Sequence, residues 1–113
     1  MWATETVEIR PPDPAWQINS RRERDALRLT LEPWLVTPVE HVGSTAVPDL
    51  AAKPILDFQI EVADLEVAPL IAEKLAPAGW FYVPPALDQR PWRRFFVKVA
   101  DERRTAHLCH LSS

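Results

Sequence analysis

The chain has 113 residues, 47% of them hydrophobic and 26% charged, with a formal net charge of -3. That length suits one domain with a genuine core and is too short for two. Charges of both signs are interspersed, which argues against a nonspecific nucleic-acid surface, and the apolar runs fall far short of the ~20 residues that cross a bilayer. The N-terminal "MWATETVEIRPP" carries glutamates where a signal peptide is basic, and Cys109 is the lone cysteine, so no internal disulfide can form. A single cytosolic domain over residues 1–113 is expected, opened by a lead-in segment over 1–18, with neither nucleic acid nor membrane as partner.

In chain order, "RPPDPAW" at 10–16 reads as a loop, because its prolines lack amide donors and hold their predecessors extended. Ser20 with Glu23 has capping-box spacing, and Ala26, Leu27, Leu31, Trp34 and Leu35 recur on one helical face, predicting a helix over about 21–35. "VEHV" predicts a short strand, and residues 43–54 a loop with two prolines. Residues 55–62 alternate most clearly: Leu56, Phe58, Ile60 and Val62 face one way, Asp57, Gln59 and Glu61 the other. Asp64 caps a predicted helix to about Leu75 with Leu70, Ile71 and Leu75 inward, and Gly79 marks its stop. "WFYV", "RRFFVKV" and "TAHLCHL" complete the strands, the last two joined by the turn "ADERR". The expected fold is α+β: a mixed, mostly antiparallel sheet of about five strands with two helices on one face.

The polar strand faces are where chemistry is expected. Asp57 and Gln59 on one strand and His107 on another converge on the open side of the sheet, and Arg94 and Lys98 are expected to join them there. The Gly43-Ser44-Thr45 turn lies just upstream, and amides at a glycine turn can approach an anion closely. These parts suit a phosphate-bearing ligand held with Mg²⁺, which is usually bound by one or two carboxylates plus substrate phosphates. Each part also has an ordinary structural role: a turn, a solvated acid, a hydrogen-bonded histidine. Trp92, beside Arg93 and Arg94 in a proline-flanked loop, is read as lid packing or as a ring-stacking surface.

"EHVGSTAVPDLAAKPILDFQIEV" at 40–62 resembles the signature of the GrpB family, close to H-hydrophobic-GSTSVPGLAAKPIIDI. "DPAW", "RRFFVKV" and "RTAHLCHL" extend the resemblance over nearly the whole chain. It implies a nucleotidyltransferase-like fold, in which Gly43 and Ser44 match the turn that holds a nucleotide triphosphate, Lys53 the family lysine and Asp57 the first metal-binding acid. Arg94 and His107 match further motif residues. Three departures stand out: Asp49 for glycine, Gln59 where active nucleotidyltransferases have a second carboxylate, and Cys109 for the second histidine of the family's H-L-H. Family members usually continue into C-terminal helices, so the sheet face those helices would cover is expected to be exposed, covered by a partner subunit or otherwise used.

A phosphorylated small molecule or nucleotide on the open sheet face is therefore the expected ligand, and Mg²⁺-dependent nucleotidyl transfer the expected reaction if there is one. Asp57 would carry the metal, with His107 as acid or base, and Gly43, Ser44, Thr45, Lys53, Gln59, Arg94 and Lys98 would bind the ligand. The alternatives are a catalytically silent binding or dimerisation module, favoured by Gln59, and a metal-free enzyme that uses Asp57 and His107 as an acid–base pair.

Overall fold

The computed structural model describes residues 9–112. Helix α1 (Ala15–Leu31) begins well before the predicted start. Pro14 occupies the N-cap, where its missing amide hydrogen costs nothing, and the Asp13 carboxylate accepts from the Ala15 amide at 2.9 Å. Ser20 is accordingly no cap: it lies buried within the helix and its hydroxyl donates to the Gln17 carbonyl. Beyond Leu31, Pro33 allows only a single 3₁₀ turn, Glu32–Trp34. Leu27 and Leu31 are buried as expected, Trp34 and Leu35 pack on the core from its margin, and Ala26 is exposed.

The strands are β1 (Glu40–Val42), β2 (Leu56–Val62), β3 (Trp80–Val83), β4 (Arg93–Ala100) and β5 (Arg103–Ser112). Between β2 and β3 the Asp64 side chain accepts from the Glu66 amide and starts a 3₁₀ turn that runs into helix α2 (Ala68–Leu75). The buried stripe of α2 is Ala68, Ile71 and Leu75. Leu70, expected inside, is 54% exposed, because the helical step of about 100° per residue sets it off the Ala68–Ile71–Leu75 stripe. Gly79, at φ +93°, ends the segment in the left-handed conformation that side chains avoid.

The sheet order is β1-β2-β5-β4-β3, antiparallel throughout except for the central β2–β5 pair. The expected α+β architecture is therefore present. One continuous core joins Leu27 and Leu31 of α1 and Ile71 and Leu75 of α2 to Phe58, Ile60, Val62, Phe96 and Leu108 of the sheet. Both long helices thus cover one face. A third, one-turn helix, α3 (Pro85–Asp88), leans over part of the other, where Leu87 and Asp88 share a cleft with Phe95 and Val97. No helix among the described residues is long and apolar enough to cross a membrane.

Asp101 and Glu102, at φ +52° and +62°, make the two-residue turn of the β4–β5 hairpin. A register shift lies next to it: Lys98 pairs with Ala106 and Val99 with Arg104, leaving Thr105 as the extra residue of a bulge. The bulge reverses the alternation. Thr105, which unbroken alternation would put on the face of His107, instead lines a cleft beside α1, while Arg104 turns to the opposite face.

Candidate functional site

Strands β2 and β5 run parallel with Asp57 directly beside His107. Their side chains meet on the face away from α1 and α2, His107 Nδ1 lying 3.1 Å from Asp57 Oδ1. A carboxylate accepts, so Nδ1 carries a proton and donates to Asp57. Nε2 is shielded from solvent and has no partner among the described residues. The Phe95 ring tilts against the imidazole at 5.1 Å and limits its rotation.

Gly43, at φ +77°, presses against the same carboxylate: a Cβ there would lie 2.6 Å from Asp57 Oδ2. Any side chain would collide with Asp57, so the glycine is required by both backbone conformation and space. The Ser44–Ala46 turn beside it is tied down from behind. The Thr45 hydroxyl donates to the Ile55 carbonyl at 3.3 Å and therefore accepts from His41 Nε2–H at 2.9 Å. Gln17 of α1 donates to the Thr45 carbonyl at 2.9 Å. Burial lowers the His41 pKa, opposed by the nearby Asp57 charge and reinforced by Arg24, so the neutral ring is favoured at this joint.

Ser44, Lys53, Asp57 and His107 line one cleft of about 360 Å³. These four are the predicted site residues that the structure brings together around an opening, with Gly43 forming its turn. Thr45 is not among them: it is 1% exposed, and its hydroxyl bonds inward. Gln59 lies on the same sheet face one row away, between Glu40 and Cys109.

The placement expected for Arg94 and Lys98 is corrected. Val97, not Lys98 or Arg94, pairs with His107, and Phe96 between them points into the core against Leu108. Lys98 pairs with Glu23 of α1 at 2.8 Å, and Arg94 donates to the carbonyls of Pro91 and Arg93. The periodicity of β4 points the other way: Phe95, Val97 and Val99 share one face and only Phe96 stands between Arg94 and Lys98 on the other, yet it is this second face that meets the core.

Sequence reasoning missed His41, Arg93 and Arg104. His41 stands two residues before Gly43 in the motif itself, and alternation from Asp57's neighbour Val42 puts it on the covered face. Arg93 clasps Asp88 with Nε and Nη2 at 3.1 and 2.7 Å, an arrangement whose signal was only a loop acid five residues upstream. Arg104 required the bulge to be known. Trp92 is 61% exposed. Burial pushes the Cys109 thiol pKa up, Arg93 opposing.

Carboxylates are few for a metal centre. Among the described residues no three His, Cys, Asp or Glu side chains gather as a ligand set. One oxygen of Asp57 is engaged by His107, and Gln59 is neutral. These donors do not fit a two-metal transferase centre.

The chain superposes on an RNA terminal U-transferase with a TM-score of 0.62 at 17% identity, over 88% of this chain and 31% of that one, so the fold is nucleotidyltransferase-like. The chain belongs to the GrpB family: residues 6–113 match the family described as GrpB protein. It superposes on the conserved protein GrpB from Enterococcus faecalis with a TM-score of 0.83 at 32% identity, covering 93% of this chain and 61% of that one. It is 33% identical over 102 residues to the UPF0157 protein YqkA of Bacillus subtilis, covering 90% of this chain and 29% of that protein. It is also 40% identical over 77 residues, 66% of its length, to 19% of a dephospho-CoA kinase of Mycolicibacterium paratuberculosis. The chain spans less than a third of the length of these two curated relatives.

Proposed function

We propose that this domain binds the phosphate end of a phosphorylated small molecule, a nucleotide or nucleotide-like cofactor, in the cleft of Ser44, Lys53, Asp57 and His107. The observation that carries the reading is the in-register Asp57–His107 pair, whose carboxylate abuts the Gly43 turn in the cleft lined by Ser44 and Lys53. The Gly43–Ser44 backbone and the Ser44 hydroxyl supply donors for phosphate oxygens, and Lys53 supplies countercharge. Nε2 is shielded from solvent, so for His107 to accept a proton from a ligand hydroxyl the wall of the cleft must open over it; Asp57 then stabilises the resulting imidazolium. Mg²⁺, if bound, is a single ion held by Asp57 and the ligand's own phosphates, where it offsets negative charge. The nucleotidyltransferase-like fold and the dephospho-CoA kinase relatives both favour a nucleotide-type ligand; their named activities are not carried over to a domain that matches so small a part of them.

The neutral Gln59 favours a second reading, a binding module without turnover. Thermal shift with nucleoside triphosphates and dephospho-CoA, each with and without Mg²⁺, separates the two when paired with a turnover assay. Stabilisation by at least one phosphorylated compound is expected, and Asp57→Asn should remove any Mg²⁺ dependence. If no compound raises the melting temperature with or without metal, the phosphate-binding reading is wrong.

A further inference from the structure

The 84–92 segment closes a second cleft, of about 190 Å³, on the same sheet face. Phe95, Val97 and Val83 form its floor, Leu87 of α3 stands at its rim, and Arg90 and Arg104 supply the cations. This cleft adjoins the first. Val97 is the cross-strand neighbour of His107, and the Phe95 ring lies 5.1 Å from the imidazole. From Asp57 to Val97 is two strand spacings, about 10 Å. The two clefts therefore lie side by side on the face shared by β2, β5 and β4.

Arg104 is the unusual member. The bulge at Thr105 turns it onto this face, its Nε is shielded from solvent, and its side chain makes no hydrogen bond or ion pair among the described residues. The nearby acid, Asp88, is already held by Arg93 and approached by Arg90. A shielded Nε–H without an acceptor is costly, while the rest of the partly buried guanidinium stays free to meet acceptor atoms of a bound group.

We infer that this second cleft receives the base of the nucleotide whose phosphates occupy the first, with Arg104 donating to acceptors on the edge of the ring. The inference rests on the phosphate-binding reading above. Apolar walls suit a flat ring, and two adjacent acceptors match the arginine fork best, so guanine is preferred over adenine, whose corresponding edge has one acceptor and one donor.

The test is calorimetric titration of GTP, ATP and inorganic tripolyphosphate, all with Mg²⁺, into the wild type, Arg104→Gln and Leu87→Glu. The second variant, at an exposed rim position, places a carboxylate against Arg104 and guards against a folding defect in the first. In the wild type, GTP should bind at least about tenfold more tightly than tripolyphosphate and about fivefold or more over ATP. Both variants should lose that advantage and keep the affinity for tripolyphosphate. Equal wild-type affinities for GTP and tripolyphosphate overturn the inference alone, as does an unchanged GTP advantage in both variants. Absence of all binding overturns the phosphate-binding reading with it.

Discussion

Gly43 and Asp57 lie at opposite ends of a long connection, yet the carboxylate oxygen occupies the space that a side chain at 43 would need. Gly43→Ala should cost about 2 kcal/mol, combining a left-handed backbone penalty with a collision, and lower the melting temperature by roughly 10 °C. Ligand affinity should fall further than stability alone explains, because Asp57 must move away from His107. His110 lies at the other extreme of environment: it is fully buried on the helix side, its ring 4.5 Å from that of Phe96, with neither ring nitrogen partnered among the described residues. Burial lowers its pKa to about 3. The unfolded chain, with an ordinary histidine pKa near 6.5, binds the proton that the folded chain refuses. The folded state therefore has its full stability above about pH 6.5 and loses several kcal/mol as pH falls from there towards 3. His110→Leu should flatten that slope in chemical denaturation measured at pH 4 and 7, and should raise stability by about 1–3 kcal/mol at neutral pH.

Among the elements, the 84–92 segment depends on one ion pair. The Asp88 side chain is 6% exposed and receives two hydrogen bonds from Arg93; those bonds, more than the guanidinium's charge, hold the carboxyl below the usual range. A depressed carboxylate stabilises the fold above its unfolded pKa, near 4, and that contribution is lost as pH falls below it. The amides of Leu87, Asp88 and Gln89, which bond to the carbonyls of Pro84 and Pro85, should exchange hydrogen faster at pH 3 after correction for intrinsic rates. Asp88→Asn should show the faster exchange already at pH 7. Helix α1 illustrates how proline punctuates elements: Pro14 opens the helix because the first turn needs no amide there, and Pro33 closes it where a donor is required.

For the molecule as a unit, topology matters more than any single contact. Strand β5 comes last in sequence but lies in the middle of the sheet, between β2 and β4. Ending the chain before Arg103 would leave β2 and β4 without their shared neighbour and strip Leu108 and Ala106 from the core. Such a truncation should show no cooperative thermal transition by circular dichroism. The same placement makes the site: Asp57 and His107 are brought together only when the last strand inserts.

Local features were legible in the residues alone. Alternation over Leu56–Val62 separated Asp57 and Gln59 from the apolar row, the proline and glycine positions marked the turns, and the motif around Gly43 pointed to the site, because periodicity and steric limits act between near neighbours in the chain. Everything that depended on which face was inside came from packing. Arg94 and Lys98 go to the helix side although Phe95, Val97 and Val99 make the other face of β4 the more apolar one; the contact of Phe96 with Leu108 in the core decides it. Thr45 turns inward and Arg104 outward, through a hydrogen-bonded joint and a one-residue bulge that leave no periodic trace. Contacts between strands fifty residues apart are set by register and burial together, and neither is written in a single strand's pattern.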